Sequence, residues 1–427
     1  MMAWPRASFA ASGADTGASA GGGASGTALR APPAPLTQPR AAPASGLAPP
    51  RPAVVIQTSF LGDVILTTPL LAALAERGPV DVVTTPAAAP ILARDPSVRA
   101  IIVYDKRGAA RGIAGLWHTA QTLKSRFTLG GPPGGSPGSS PGGSPRPART
   151  SGGNGGGASA ESATPIAYLA QSSVRSGMLA LLAGFQERVG FSTSPARALY
   201  SRTVPYRADR HHAERLWWLG AVAPDVEPLP SDIRPRLYPG PADVAAANAV
   251  LAAAHYDGEP LIALAPGSAW GAKRWPGYPA LAAALAHAAR IVVIGGADDQ
   301  ALAAEIRDAV GGPADTVIDA TGKVPILGAA ELIGRCVAII TNDSAPQHLA
   351  SAMGTPTITI FGPTVPAFGF GPLAPVHATA GVDGLDCRPC DKHGPQTCPL
   401  GHWRCMRELT VAHIEQIVRQ LPAASGP

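Results

Sequence analysis

"VAIITNDSAPQHLASAMGTPTITIFGP", residues 337–363, decides the fold. Val337 to Asn342 reads as a buried strand, 345–353 as a short helix, and 357–363 as a second strand. Gly354 stops the helix and Pro356 follows it. Ser344 and Gln347 have capping-box spacing, S-x-x-Q, and Pro346 falls in the first turn, where its missing N–H costs little. A strand, helix and strand with short connections make two parallel strands of one sheet. The polar set Asn342, Asp343, Ser344 and His348 exceeds what one cap needs. Free N–H groups and the helix dipole at the start of 345–353 favour an anion there.

Working outward, the same alternation fills two halves. In the first, strands are expected at 53–59, 80–85 and 100–105, with helices at 66–78 and 87–96. In the second, strands at 261–267, 290–296, 337–342 and 357–363 alternate with helices at 278–288, 299–312 and 345–353. The reading is α/β: two Rossmann-like, doubly wound domains facing a central cleft. Ligands in such sheets lie beyond the carboxyl ends of the strands, so the cleft is the expected site. The halves are 51–225 and 259–427, with 226–258 as the region joining them. Residues 1–50 and the insertion 129–163 are rich in Gly, Pro, Ser and Ala, bury too little to offset ordering entropy, and are expected to be disordered.

Composition narrows the class. The chain has 427 residues, enough for two cores, and 34 basic against 29 acidic residues. The net charge of +5 suits an anionic substrate and gives no sign of a nucleic-acid binder. No apolar run reaches bilayer-spanning length, and no signal peptide is visible. A cytoplasmic enzyme is expected.

Three further motifs sit at strand ends. In "SFLGDVILTTP" (59–69), Gly62 permits a tight turn and Asp63 stands at a helix start. Asp63 reads either as a plain cap or as a general base at the cleft mouth. In "APGSAWGAKRWP" (265–276), Gly267 admits a close ligand, Ser268 offers a hydroxyl, and Lys273 and Arg274 supply charge, as a phosphate cradle would. In "VVIGGADDQ" (292–300), Gly295 and Gly296 allow close approach of a nucleoside, with Asp298 or Asp299 near ribose hydroxyls; a helix cap is the alternative. Near the C-terminus, Cys387, Cys390, Cys398 and Cys405 include one CxxC, a zinc-like spacing. The second pair does not repeat it, and a structural cysteine cluster under a loop is the plainer expectation.

Taken together, "VVIQTSFLGDVILTTPLLAAL", "AQSSVRSGMLALLAGFQERVGF", "LAPGSAWGAKRWP", "TNDSAPQHLASAMGTPTITIFGPT" and "CRPCDKHGPQTCPLGHWRCMREL" resemble the ADP-heptose:lipopolysaccharide heptosyltransferases, glycosyltransferase family 9. The resemblance runs from about residue 53 to 422, apart from the insertion. It implies a GT-B fold, with 51–225 on the acceptor side and 259–427 binding the nucleotide sugar and ending in a Cys-rich segment (387–405) and a helix. It implies inverting transfer of L-glycero-D-manno-heptose from ADP-heptose to a lipid A-linked inner-core acceptor. Asp63 matches the catalytic aspartate, Lys273 the pyrophosphate-binding lysine and Ser268 a donor-binding hydroxyl. Asp343, Ser344 and His348 match the donor-binding turn, with Ala345 where many members have Gly. Arg175, Lys106 and Arg107 are the candidates for anionic groups of the acceptor. No cofactor or metal is expected, and the enzyme would touch the inner face of the cytoplasmic membrane peripherally. A GT-B enzyme using another nucleotide sugar, a sugar-nucleotide 2-epimerase and a non-catalytic binding protein stay open.

Overall fold

The computed structural model describes residues 51–128, 164–221, 226–313 and 315–421. The segments expected to be disordered, 1–50 and 129–163, lie outside the described residues.

The first half runs β1 (Ala53–Ile56), α1 (Leu61–Ala75), β2 (Val80–Thr84), α2 (Ala89–Leu92), β3 (Ala100–Val103), α3 (Gly112–Thr128), β4 (Ile166–Leu169), α4 (Val174–Leu182), β5 (Glu187–Phe191), β6 (Arg202–Val204) and α5 (His212–Gly220). Its six strands are all parallel, in the order β3-β2-β1-β4-β5-β6. β1 is wholly buried because both faces are covered, as in any doubly wound sheet. Val54 and Ile56 face the core that holds Leu116 and Leu123 of α3 and Leu179 of α4. Ala53 and Val55 face the opposite core with α1 and α5.

The second half repeats the plan after two connecting helices, α6 (Pro230–Ile233) and α7 (Pro241–Ala253). It runs β7 (Leu261–Ala265), α8 (Tyr278–Leu285), β8 (Arg290–Val293), α9 (Gln300–Val310), β9 (Val317–Asp319), α10 (Ile326–Gly334), β10 (Ala338–Asn342), α11 (Ala345–Met353), β11 (Thr357–Ile360), β12 (His377–Ala380), α12 (Arg404–Arg407) and α13 (Val411–Gln420). The order is β12-β11-β10-β7-β8-β9, again parallel throughout. The region 226–258 is therefore helical in part. Ala247 and Leu251 of α7 are buried, and α7 lies on α10.

Each sheet reverses its winding once, between β1 and β4 and between β7 and β10. At such a reversal the connections leave in opposite directions and open a crevice at the carboxyl ends. The motifs at 59–63, 266–276 and 342–344 all lie at these two points. α1 packs on α11, and one buried core runs through both halves.

Two expectations need correction. Helix α1 starts at Leu61, ahead of the expected 66, although Pro69 lies inside it. Pro69 cannot donate to Ile65 O, and the Thr68 hydroxyl does so instead at 2.8 Å. The expected Ser344–Gln347 capping box does not form. Ser344 is the N-cap without a side-chain cap bond, and the Gln347 amide turns away to Asp343 Oδ1 at 2.9 Å.

Candidate active site

The second half contributes a fixed cation. Lys273 lies in a single 3₁₀ turn (Gly271–Lys273) of the loop after β7 and is 7% exposed. Its Nζ donates to Asp343 Oδ2 at 2.7 Å and to Asp343 O at 3.1 Å. Thr364 Oγ1 donates to the same Oδ2 at 2.7 Å. With Gln347 on Oδ1, both carboxylate oxygens of Asp343 are engaged. Asp343, expected as a donor ligand, is thus the group that holds Lys273, since a free carboxylate would repel a phosphate.

Asn342, expected as one of the polar residues of the turn but given no task of its own, staples the two loops. Its Nδ2 donates to Pro266 O at 2.7 Å and its Oδ1 accepts from Trp275 N at 3.2 Å. Ser268 Oγ accepts from Trp270 N at 3.2 Å, while Arg274 clamps Ser268 O at 3.0 and 2.9 Å. Ser344 and Ala345 begin α11 directly beside Lys273 and its partner Asp343, so the first-turn N–H groups and the ammonium share one wall.

The first half contributes Asp63. It is the third residue of α1, and its Oδ2 accepts from Phe60 N at 3.3 Å and Ser59 Oγ at 2.5 Å. The cap reading is therefore correct, and it leaves Oδ1 over. The basic group facing Oδ1 is His212 Nε2, at 3.7 Å. His212 opens α5, lies beside the Phe370 ring at 4.8 Å, and has its Nδ1 buried without a hydrogen bond. Burial, with Arg215 and Lys392 nearby, pushes it down to about 3. Sequence reasoning missed it because "HHAERLWW" carries no motif; only the packing of α5 on α1 brings it to Asp63.

His348 joins the halves. A Cβ at Gly62 would stand 2.8 Å from His348 Cδ2, so the glycine permits α1 and α11 to meet beside Asp63. Burial pushes His348 down to about 4, helped by His211 and His212 and opposed by Asp343 and Asp63. His348 Nδ1 and Gln347 Oε1 are buried without partners. Unpaired buried polar atoms are rare in folded chains, and with His212 Nδ1 three of those among the described residues lie at this cleft. Phe60, Trp270 and His393 close one edge. Trp270 stacks on His393 at 6.0 Å, and Phe60 meets Trp270 edge-on at 6.5 Å.

Other expected residues are placed differently. Asp299, not Asp298, fills the turn after β8: it accepts from Gly296 N at 2.9 Å, and Cβ atoms at Gly267 or Gly295 would strike its carboxylate. These glycines make room for Asp299, while Asp298 is exposed. Arg175 is engaged by the protein itself, donating to the Tyr104 hydroxyl, to Gly112 O at 2.8 Å and to Ala110 O at 3.3 Å. Lys106 does reach the mouth. Its Nζ donates to Thr58 O at 2.6 Å, beside Gln171, and burial with Arg107 and Arg175 nearby lowers its pKa. Arg107 is exposed. Cys387, Cys390, Cys398 and Cys405 are free thiols, and among the described residues no three His, Cys, Asp or Glu side chains converge as a metal requires.

Two parallel sheets of order 3-2-1-4-5-6, with a carboxylate on one lip of the cleft and a cation-backed helix terminus on the other, define the two-domain GT-B class of protein. The chain belongs to glycosyltransferase family 9, the heptosyltransferases, whose family profile matches residues 161–403, more than half of it. That match includes Ser268, Lys273, Asp343 and His348 and leaves Asp63 outside. The chain is similar to lipooligosaccharide heptosyltransferase 2 of Campylobacter jejuni, 30% identical over 178 residues, covering 40% of this chain and 53% of the relative. The stretches matched span about half or less of the curated relatives' length. Among solved structures, a family 9 glycosyltransferase from Veillonella parvula superposes with TM-score 0.68 at 20% identity, covering 88% of this chain and 98% of that one. E. coli ADP-heptose lps heptosyltransferase II gives 0.61 at 21%, covering 86% and 97%.

Proposed function

We propose that this chain is an inverting, heptosyltransferase II-like enzyme that moves L-glycero-D-manno-heptose from ADP-heptose to a lipid A-linked inner-core sugar. The observation that carries the reading is the meeting of Asp63, just past the end of β1, with the Lys273–Asp343 pair and His348 across one cleft.

In this reading the free Oδ1 of Asp63 takes the proton of an acceptor hydroxyl as that oxygen attacks the anomeric carbon. The new glycosidic C–O bond forms as the bond from that carbon to the β-phosphate oxygen breaks, and ADP leaves with the electron pair. Attack from the face opposite the leaving group inverts the centre. Charge grows on the pyrophosphate, where Lys273, the Ser268 hydroxyl and the first turn of α11 offer preorganised stabilisation. Asp343 holds Lys273 in place. Lys106 and Gln171 line the acceptor side. A fixed ammonium and a helix terminus take the part a divalent ion plays elsewhere, so turnover is expected to persist in EDTA.

Among the described residues no helix is long and apolar enough to cross a membrane. A lipid-linked acceptor then calls for peripheral contact at the inner face of the cytoplasmic membrane. The test is mass spectrometry of products from ADP-heptose and truncated lipopolysaccharide cores. A heptose-sized mass increase supports the reading, and no product despite a folded chain overturns it. Thermal shift with ADP-heptose against UDP sugars checks the donor, because only the true donor stabilises the fold by mass action.

A further inference from the structure

Away from the cleft floor, α3 and α4 both expose large apolar side chains. Ile113 is 83% exposed and Trp117 54% on α3; Val174, Met178 and Leu181 on α4 are also exposed. Within each helix the spacing is three to four residues, which puts each set on one face. On α4 the opposite side is already used in the core, by Leu179 and Ala180; on α3 Ile113 and Trp117 flank the stripe of Leu116, Ala120 and Leu123 that is buried there. Arg175 binds the start of α4 to the start of α3 through Gly112 O and Ala110 O, so exposed Ile113 and Val174 stand at neighbouring helix starts.

Among the described residues, the loop 105–111 ahead of α3 is mainly basic: Lys106, Arg107 and Arg111 stand against one acid, Asp105, whose carboxylate accepts from Gly108 N and Ala109 N. Arg107 and Arg111 are exposed. Helices that follow parallel strands begin at the carboxyl edge of the sheet, so Ile113, Val174 and the loop 105–111 flank the mouth that holds Asp63 and Lys106. An apolar patch with a cationic rim fits an anionic bilayer surface.

We propose that the α3–α4 face seats the first half on an anionic lipid bilayer, with Ile113, Trp117 and Met178 entering the interface and Arg107 and Arg111 meeting headgroup phosphates. The proposal deepens the functional reading above and rests on it for the lipid-linked acceptor. It puts the cleft mouth at the height of the sugars just above the lipid surface.

The experiment is co-sedimentation of the full chain with phosphatidylethanolamine vesicles, with and without phosphatidylglycerol, alongside transfer to a delipidated soluble acceptor. The parent is expected to sediment with the anionic vesicles. The double variant Ile113→Glu/Trp117→Glu should bind them at least about tenfold more weakly, and Met178→Glu is an independent second probe. Each of Arg107→Ala and Arg111→Ala should cost about fivefold. All three apolar sites are exposed, so the acidic variants should melt like the parent and keep its rate on the soluble acceptor. Vesicle binding equal in parent and variants, or absent from the parent, overturns the proposal. So does a parent dimer that the double variant turns into a monomer. Loss of binding in the variants without heptose transfer by any of the proteins would leave this surface standing and sink the functional reading instead.

Discussion

At the scale of single residues, Asp63 has two tasks that can be separated. One oxygen caps α1 through Phe60 N, and the other faces the cleft. Asn keeps an acceptor for Phe60 N and cannot take up the acceptor's proton at neutral pH. Asp63→Asn should therefore lower kcat roughly 10²–10⁴-fold with a melting temperature near the parent's, checked by steady-state kinetics beside a thermal melt. Asp343→Asn acts differently. It leaves the buried Lys273 ammonium without its counter-charge, at a cost of roughly 3 kcal/mol in unfolding free energy. Donor affinity should fall as well, because Lys273 loses its fixed position. Calorimetric titration with ADP together with urea unfolding reads both effects. An unchanged ADP affinity would detach Lys273 from the anion site.

At the scale of elements, the contact of α1 with α11 shows why a general propensity can reverse sign. In an open helix Gly→Ala gains about 0.5–1 kcal/mol. At Gly62 the added Cβ would lie 2.8 Å from His348 Cδ2, and the ring is buried with little room to yield. Overpacking costs roughly 1–3 kcal/mol, so Gly62→Ala should be net destabilising and should push α1 away from α11. A lower urea midpoint and a reduced kcat are expected; a gain in stability would show that the halves do not meet as described. Pro69 illustrates the same point inside α1. Local rules put a proline in the first turn of a helix, which is why a start near residue 66 is the natural reading of the sequence. The Thr68 hydroxyl that takes over at Ile65 O also accepts from Arg236 N at 3.1 Å, and neither contact is a helix signal in sequence.

At the scale of the whole molecule, three imidazoles packed around the cleft make stability depend on pH. Burial holds His211 and His348 down to about 4 and His212 down to about 3, all below the ordinary histidine value. Above about pH 6.5 these rings are mostly neutral in both states and favour neither. As pH falls from about 6.5 toward 4, the unfolded chain takes up protons that the folded chain refuses, so stability drops. At pH 5 the loss should be about 1–2 kcal/mol for each ring. Urea midpoints at pH 7.5 and pH 5 measure it, and the slope should flatten in His212→Gln and His348→Gln. A midpoint independent of pH over that range would mean that the rings are not buried in solution.

The alternation of apolar strands with helices made the doubly wound architecture legible, because a strand covered on both faces must be apolar along nearly its whole length, as β1 and most of β10 are. Strand ends with Gly, Ser, Asp and Lys marked 59–63, 266–276 and 342–344 as site segments, and these do lie together at the two winding reversals. Local patterns are short-range, so they showed which segments could serve a site and left each side chain's task open. Tertiary structure decided those tasks. It turned Asp343 onto Lys273, drew Arg175 to Gly112 and Ala110, set Asp299 against Gly267, and brought His212 to Asp63 from a helix at the other end of the first half. Each depends on a partner distant in sequence, and only the packing of one element on another supplies it.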